Sequence, residues 1–391
     1  MRIGAALRTG VEEQSRWPSL DGIRGFAIVA VFAYHAFKLA GGWTSSKIRG
    51  EGVPLWGWPL GGGRLGVDLF FVLSGFLLWF SWRSIRRRNP AVGASLREYA
   101  WGRAVRILPP YWVMLAVTIP LLAPELLQSA EGLWHTLLFF TTQQYNEPSL
   151  PGQLNVVLWT LTVEVHFYVL LPLVALVMLR ARAQTAVAVS LLVGLWWFWN
   201  RGAYPESTII GRADQFVMGM AAAAVVGAHL DGRASALSRA FAARATPWLA
   251  AAGIAVLWLY HGSTFGLPRG NAIEPYLHPL MAALFCAVVA HLALAPHSTG
   301  SVRRTLERPW ARLAGHLSYG IYLWHFPAIL VVDEQLPDAA TVTRGAAVLA
   351  LTAATTLASW FLVERPFLAL KDGPRTSAPA PPRQPVGSAR P

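Results

Sequence analysis

Four residues that can take or hold a proton, His35, Asp68, Glu164 and His325, each stand inside a long apolar stretch of the sequence. An ionisable group in a membrane span costs about 2.5–3.5 kcal/mol near its centre, so each is a functional candidate. An imidazole titrates near neutrality and can take the proton of a weakly acidic hydroxyl as it attacks. A carboxylate can fix the tautomer of such an imidazole and stabilise its cation. His35 is the candidate base, and Glu164 or Asp68 the candidate carboxylate. Ser74 offers a hydroxyl for a covalent acyl-enzyme, provided that a base stands beside it.

Arginines accompany this set. Arg24 precedes His35 by close to three helical turns, so the two share a face about 16 Å apart along the axis. Arg103 and Arg106, three apart, also share a face. The three guanidiniums make a cluster suited to phosphates, although Arg103 and Arg106 would equally serve as membrane-surface anchors. Tyr111, Trp159, Tyr319 and Tyr322 either line a pocket or belong to interfacial belts. With Ser74 and His325 they complete the candidate substrate-binding residues. The His and carboxylate positions lack metal-ligand spacing, so no metal site and no cofactor are expected. Gly66 and Gly75 suit close helix packing.

These residues need helices to hold them. Crossing a hydrocarbon core takes about twenty apolar residues. Ten stretches qualify, at 20–40, 65–82, 106–123, 157–179, 185–200, 212–229, 247–261, 277–295, 313–332 and 343–363. The run from Leu133 to Phe140 is too short to span and reads as interfacial or re-entrant. By the helical rise, His35, Glu164 and His325 lie roughly 9–10 Å below the outer ends of their helices and Asp68 roughly 5 Å below, which places all four in one layer. With the N-terminus inside, about three quarters of the 33 Lys and Arg residues fall on inside segments, as the positive-inside rule requires. The expected fold is an all-α bundle of about ten transmembrane helices with both termini cytoplasmic. Its expected parts are an N-terminal segment 1–18, a membrane domain 19–367 and a disordered tail 368–391.

Composition agrees. Of 391 residues, 54% are hydrophobic and 14% charged, against about 25% charged in soluble domains. The net charge of +13 is explained by orientation among anionic lipid heads rather than by nucleic acid. A single cysteine, Cys286, excludes an internal disulfide. A transporter or flippase for a lipid-linked or glycosidic substrate is the alternative use of buried ionisable residues. Against it stand the lack of repeat halves and of paired broken helices.

Six segments in order resemble the bacterial acyltransferase-3 family of membrane O-acyltransferases. They are Ser19–Gly25 followed by His35, Gly66–Phe76, Arg103–Trp112, Trp159–Glu164 with Phe167-Tyr168, Ser318–His325 and Glu364–Phe367. Each is loose alone; the ordered set is specific. One departure is Val165-His166, which stands where many members carry Glu-Gln. The resemblance implies a bacterial inner-membrane enzyme that takes an acyl group, acetyl or another short one, from acyl-CoA. The implied acceptor is a hydroxyl of a surface polysaccharide, a glycolipid or a glycosylated natural product.

Overall fold

The computed structural model describes residues 17–37, 55–128, 130–138, 155, 157–180, 209–264, 274–294 and 300–371. Among these residues there are helices and no strand. The candidate span at 185–200 and the tail from 372 lie outside them.

The first helix, α1 (Pro18–Phe37), starts on a proline and carries Asp21 in its first turn. A proline at the first helical position loses no hydrogen bond, and an acid there complements the helix dipole. Three short helical turns over 55–65 lead into α2 (Gly66–Arg88), and α3 (Val92–Leu122) follows. The short α4 (Ala130–Leu137) covers the run expected to be too short to span. Then come α5 (Leu158–Arg180), α6 (Ile209–Leu230), the brief α7 (Ala236–Ala242), α8 (Thr246–Thr264) and α9 (Glu274–Leu294). Two short helices, α10 (Gly300–Leu306) and α11 (Pro309–His316), precede α12 (Ser318–Gln335) and α13 (Thr341–Ser359). A π-helical turn, Trp360–Glu364, continues α13 into α14 (Arg365–Lys371).

Seven of these helices are long and apolar enough to cross a membrane, or eight if the bent pair α7 and α8 is one span. Two expected boundaries are corrected. The third span begins at Val92, so Arg103 and Arg106 lie within α3 rather than at its start. Arg97, Glu98 and Arg103 interrupt the apolar run there and hide its first turns. The ninth candidate, 313–332, is broken at Leu317 into α11 and α12.

The centre of the bundle is the pair α2 and α6. A Cβ on Gly75 would lie 2.2 Å from the Phe216 carbonyl oxygen, and one on Gly219 would lie 2.2 Å from that of Val72. Only glycine allows the two backbones to approach so closely. Phe216 sits over this crossing, with its ring centroid 4.0 Å from Phe167 and 4.8 Å from Phe71. That stack carries α5 onto α2 and α6. Cys286 is buried in the same core. A second apolar cluster joins α3, α4, the start of α5 and α12. In it Tyr111 donates a hydrogen bond to the Thr136 carbonyl at 2.5 Å, which holds the short α4 against α3.

Candidate active site

Between these two clusters lies a cavity of about 180 Å³, lined from five helices. α1 gives Arg24, α2 gives Ser74, α3 gives Arg103 and Arg106, α5 gives Glu164 and Tyr168, and α12 gives Tyr319 and Tyr322. The apolar walls are mainly Val67, Phe70, Phe71 and Leu77 of α2. Positions 67, 70, 74, 77 and 81 repeat at helical spacing, so one stripe of α2 faces the cavity while the opposite side packs on α6.

Glu164 is the hub. Its Oε1 accepts a hydrogen bond from Ser74 Oγ at 2.7 Å and another from the Tyr168 hydroxyl at 2.5 Å. The Arg103 guanidinium lies 6.0 Å from the centroid of the Tyr168 ring, within cation–π range. Among the described residues, none of Arg24, Arg103 and Arg106 forms a salt bridge with a carboxylate. Three guanidiniums and one carboxylate line the cavity, with Asp21 close to Arg24 and Glu364 close to Arg106 outside the lining; guanidiniums turned into a cavity can receive an anion. Tyr319 donates to the Ile107 carbonyl at 2.9 Å and ties α12 to α3. Tyr322 meets both the Thr160 hydroxyl and the Val157 carbonyl at the start of α5. The Asn155 amide donates to the Leu323 carbonyl at 3.1 Å and closes the same junction.

Beyond Tyr322, whose ring lies 5.9 Å from that of His325, stands a pair of imidazoles. His325 Nε2 is 3.2 Å from His35 Nδ1. His325 is fully buried and His35 half-buried. His35 and His325 lie outside the cavity lining; α1 runs unbroken from Arg24, which lines it, to His35, with Ile28 and Val31 buried between them.

Asp68 is elsewhere. Its Oδ1 accepts from Arg212 at 3.0 Å and Gln215 at 2.9 Å, and its Oδ2 lies 2.8 Å from His278 Nδ1. Asp68 and Arg212 are almost wholly buried. This junction joins α2, α6 and α9, on a different face of α2 from Ser74. The expectation that Asp68 or Glu164 orients His35 is corrected: His35 Nδ1 meets His325 Nε2 and the Val31 carbonyl instead, while Asp68 is held by Arg212, Gln215 and His278. Arg212, at the first position of the apolar stretch 212–229, is a buried partner on α6. Its guanidinium lies 5.5 Å from the Trp159 ring, so Trp159 packs beside this ion pair. Tyr111 and Trp159 lie outside the cavity lining. Sequence reading missed Gln215 and His278, whose partner is visible only in space. Glu364, quoted there only as part of the last motif, is buried at the π-helical turn, where its carboxylate accepts from Ser359 at 3.2 Å.

With this geometry in place, comparison with known proteins decides the class. The model of a family described as an acyltransferase domain matches residues 17–364. The chain belongs to the acyltransferase-3 family. It is similar to the peptidoglycan O-acetyltransferase OatA of Listeria monocytogenes, with 26% identity over 82% of this chain and 50% of that protein. It is also similar to the exopolysaccharide production protein ExoZ of Rhizobium meliloti, with 31% identity over 78% of this chain and 90% of that protein. OatA of Staphylococcus aureus is 25% identical over 81% of this chain and 51% of that protein. The chain spans about half the length of the peptidoglycan O-acetyltransferases it matches. No solved structure matches. An acyltransferase domain is an enzyme domain, and nothing in these comparisons supports the transporter alternative.

Proposed function

We propose that this protein moves a short acyl group, in the simplest case acetyl, from acyl-CoA to a hydroxyl of a carbohydrate-containing acceptor. The observation that carries the donor assignment is the cavity lined by the three guanidiniums of Arg24, Arg103 and Arg106. CoA is polyanionic, and guanidinium groups bind phosphate oxygens through charge-assisted, often bidentate hydrogen bonds. The names of the relatives, which refer to peptidoglycan and exopolysaccharide, support a saccharide acceptor.

In this reading the phosphates rest on the three arginines and the thioester extends past Tyr322, which lines the cavity, toward His35, about 16 Å from Arg24. A sugar hydroxyl is too weak an acid to attack unaided at neutral pH, so His35 takes its proton as the oxygen bonds to the acyl carbon. The carbon–sulfur bond breaks, and the His35 imidazolium returns the proton to the departing thiolate. The products are the ester and CoA with a free thiol. Glu164 holds the Ser74 and Tyr168 hydroxyls on the path of the donor, and Tyr319 and Tyr322 form its α12 wall. Ten spans with both termini cytoplasmic would open the arginine end to the cytoplasm, where acyl-CoA is made.

Mass spectrometry of surface glycans and glycolipids from cells carrying the wild type or His35→Ala tests this reading. A mass increment of one acyl group, present in the wild type and missing from the variant at equal protein level, is expected. Wild-type cells whose glycans carry no such increment would contradict it.

A further inference from the structure

The contacts of the two imidazoles define their tautomers. His325 Nδ1 lies 3.0 Å from the Ile321 carbonyl oxygen and 2.8 Å from that of Tyr322. Carbonyl oxygens only accept hydrogen bonds, so the His325 proton sits on Nδ1. A neutral imidazole with a proton on Nδ1 carries a lone pair on Nε2. That lone pair faces His35 Nδ1 at 3.2 Å. His35 Nδ1 also lies 3.0 Å from the Val31 carbonyl oxygen. The Val31 carbonyl oxygen and His325 Nε2 are acceptors, so this nitrogen is a donor. The opposite assignment would set a lone pair of His35 against Val31 and one of His325 against two further carbonyls. The basic lone pair of His35 is therefore on Nε2.

We propose that His325 is the positioning residue for the acyl transfer: it holds His35 as the Nδ1–H tautomer, so that Nε2 receives the proton of the acceptor hydroxyl. The proposal rests on His35 being the base, as assigned above. It gives to a second imidazole the part that a carboxylate plays in a hydrolase triad. When Nε2 takes the proton, the Nδ1–H of the resulting imidazolium makes a charge-assisted bond to His325 Nε2. Returning that proton to the thiolate restores the starting tautomer, so the cycle leaves no proton behind. A neutral partner also suits the position. His325 is 0% exposed, and a carboxylate so deeply buried in a span would carry the desolvation cost of an ion. Two carbonyls of its own helix orient the ring without any charge.

The test uses the whole protein in lipid nanodiscs with ¹⁵N-labelled histidine, acetyl-CoA and a soluble oligosaccharide acceptor. In the wild type, the His35 resonances should show the proton on Nδ1 and an unprotonated Nε2. His325→Phe keeps an aromatic ring but no acceptor, and should lower kcat about 100-fold or more while leaving the donor KM unchanged. His325→Gln offers an amide oxygen to His35 Nδ1–H and should recover most of that loss. A wild type whose His35 carries its proton on Nε2, or a His325→Phe variant that turns over at the wild-type rate, would overturn the proposal. A wild type with the Nδ1–H tautomer that transfers no acyl group would instead overturn the acyl-transfer reading. The tautomer is read on the wild type alone, so the proposal is tested even where a variant fails to fold.

Discussion

Ser74 Oγ lies 2.7 Å from Glu164 Oε1, which joins two segments 90 residues apart inside one cavity. A hydroxyl beside a carboxylate has two chemical uses: it can be acylated, or it can simply hold the carboxylate in place. The account assigns Ser74 the second. Ser74→Ala should keep at least a tenth of the wild-type rate, because Tyr168 still holds Glu164. Glu164→Gln should lower turnover about 10- to 100-fold, since a neutral amide replaces the anionic acceptor of two hydroxyls, each bond worth about 1.5–3 kcal/mol. Quenched-flow mass spectrometry of the protein during turnover checks this: an acyl group on Ser74 would contradict the direct transfer.

The arginine cluster should behave as a donor site. Substitution of Arg24, Arg103 or Arg106 by Gln is expected to raise the acyl-CoA KM about 10- to 100-fold each, from the loss of a charge-assisted hydrogen bond. The affinity of the wild type should fall as salt rises, and less steeply in each variant. Initial rates at several salt concentrations measure both. Variants with an unchanged donor KM would remove the phosphates from this cavity.

The buried ion pair predicts a contrast between two neighbouring acids. Removing Asp68 takes a hydrogen-bonded carboxylate from Arg212, which is 2% exposed, and should cost about 3–5 kcal/mol of stability. Asp214 is also fully buried, but no side chain donates a hydrogen bond to its carboxylate among the described residues. Asp214→Asn should therefore change stability by less than about 1 kcal/mol or raise it. Thermal unfolding in detergent ranks Asp68→Ala far below Asp214→Asn; equal losses would contradict the assignment.

Much of the site was legible because its parts are rare in a membrane span. Arg24 and His35 on one helix face, and Glu164 within an apolar run, mark themselves by cost alone. Their partners were harder to read. Asp68 looked like a catalytic acid because nothing near it in sequence reveals Arg212 or His278, which stand 144 and 210 residues away. Arg212 stands at the edge of its apolar stretch, where a charge reads like the end of a loop, although α6 begins before it at Ile209. The first turns of α3 are hidden for the opposite reason: Arg97 and Glu98 stand there outside the cavity, Arg103 and Arg106 reach into it further on, and a window average cannot distinguish such a charged stretch from a loop. The pairing of His35 with His325 spans 290 residues and is a property of the fold, not of any local pattern.

The α2–α6 crossing offers a test of packing. A Cβ at Gly75 would stand 2.2 Å from a backbone oxygen, so the helices must part to accept it. Gly75→Ala should destabilise by about 1–3 kcal/mol, and Gly219→Ala similarly. Gly93, with open space around it, is the control, where Ala should be neutral or stabilising in the helix. Melting temperatures of the three variants decide this.

The central claim is that His35 drives acyl transfer from CoA to a saccharide hydroxyl. Its most direct measurement is transfer of ¹³C-acetyl from acetyl-CoA to an oligosaccharide by the purified protein in lipid nanodiscs, comparing wild type with His35→Ala. The account predicts labelled ester and equimolar CoA thiol with the wild type, and a rate lower by about 100-fold or more with the variant. Equal rates for the two proteins would contradict it.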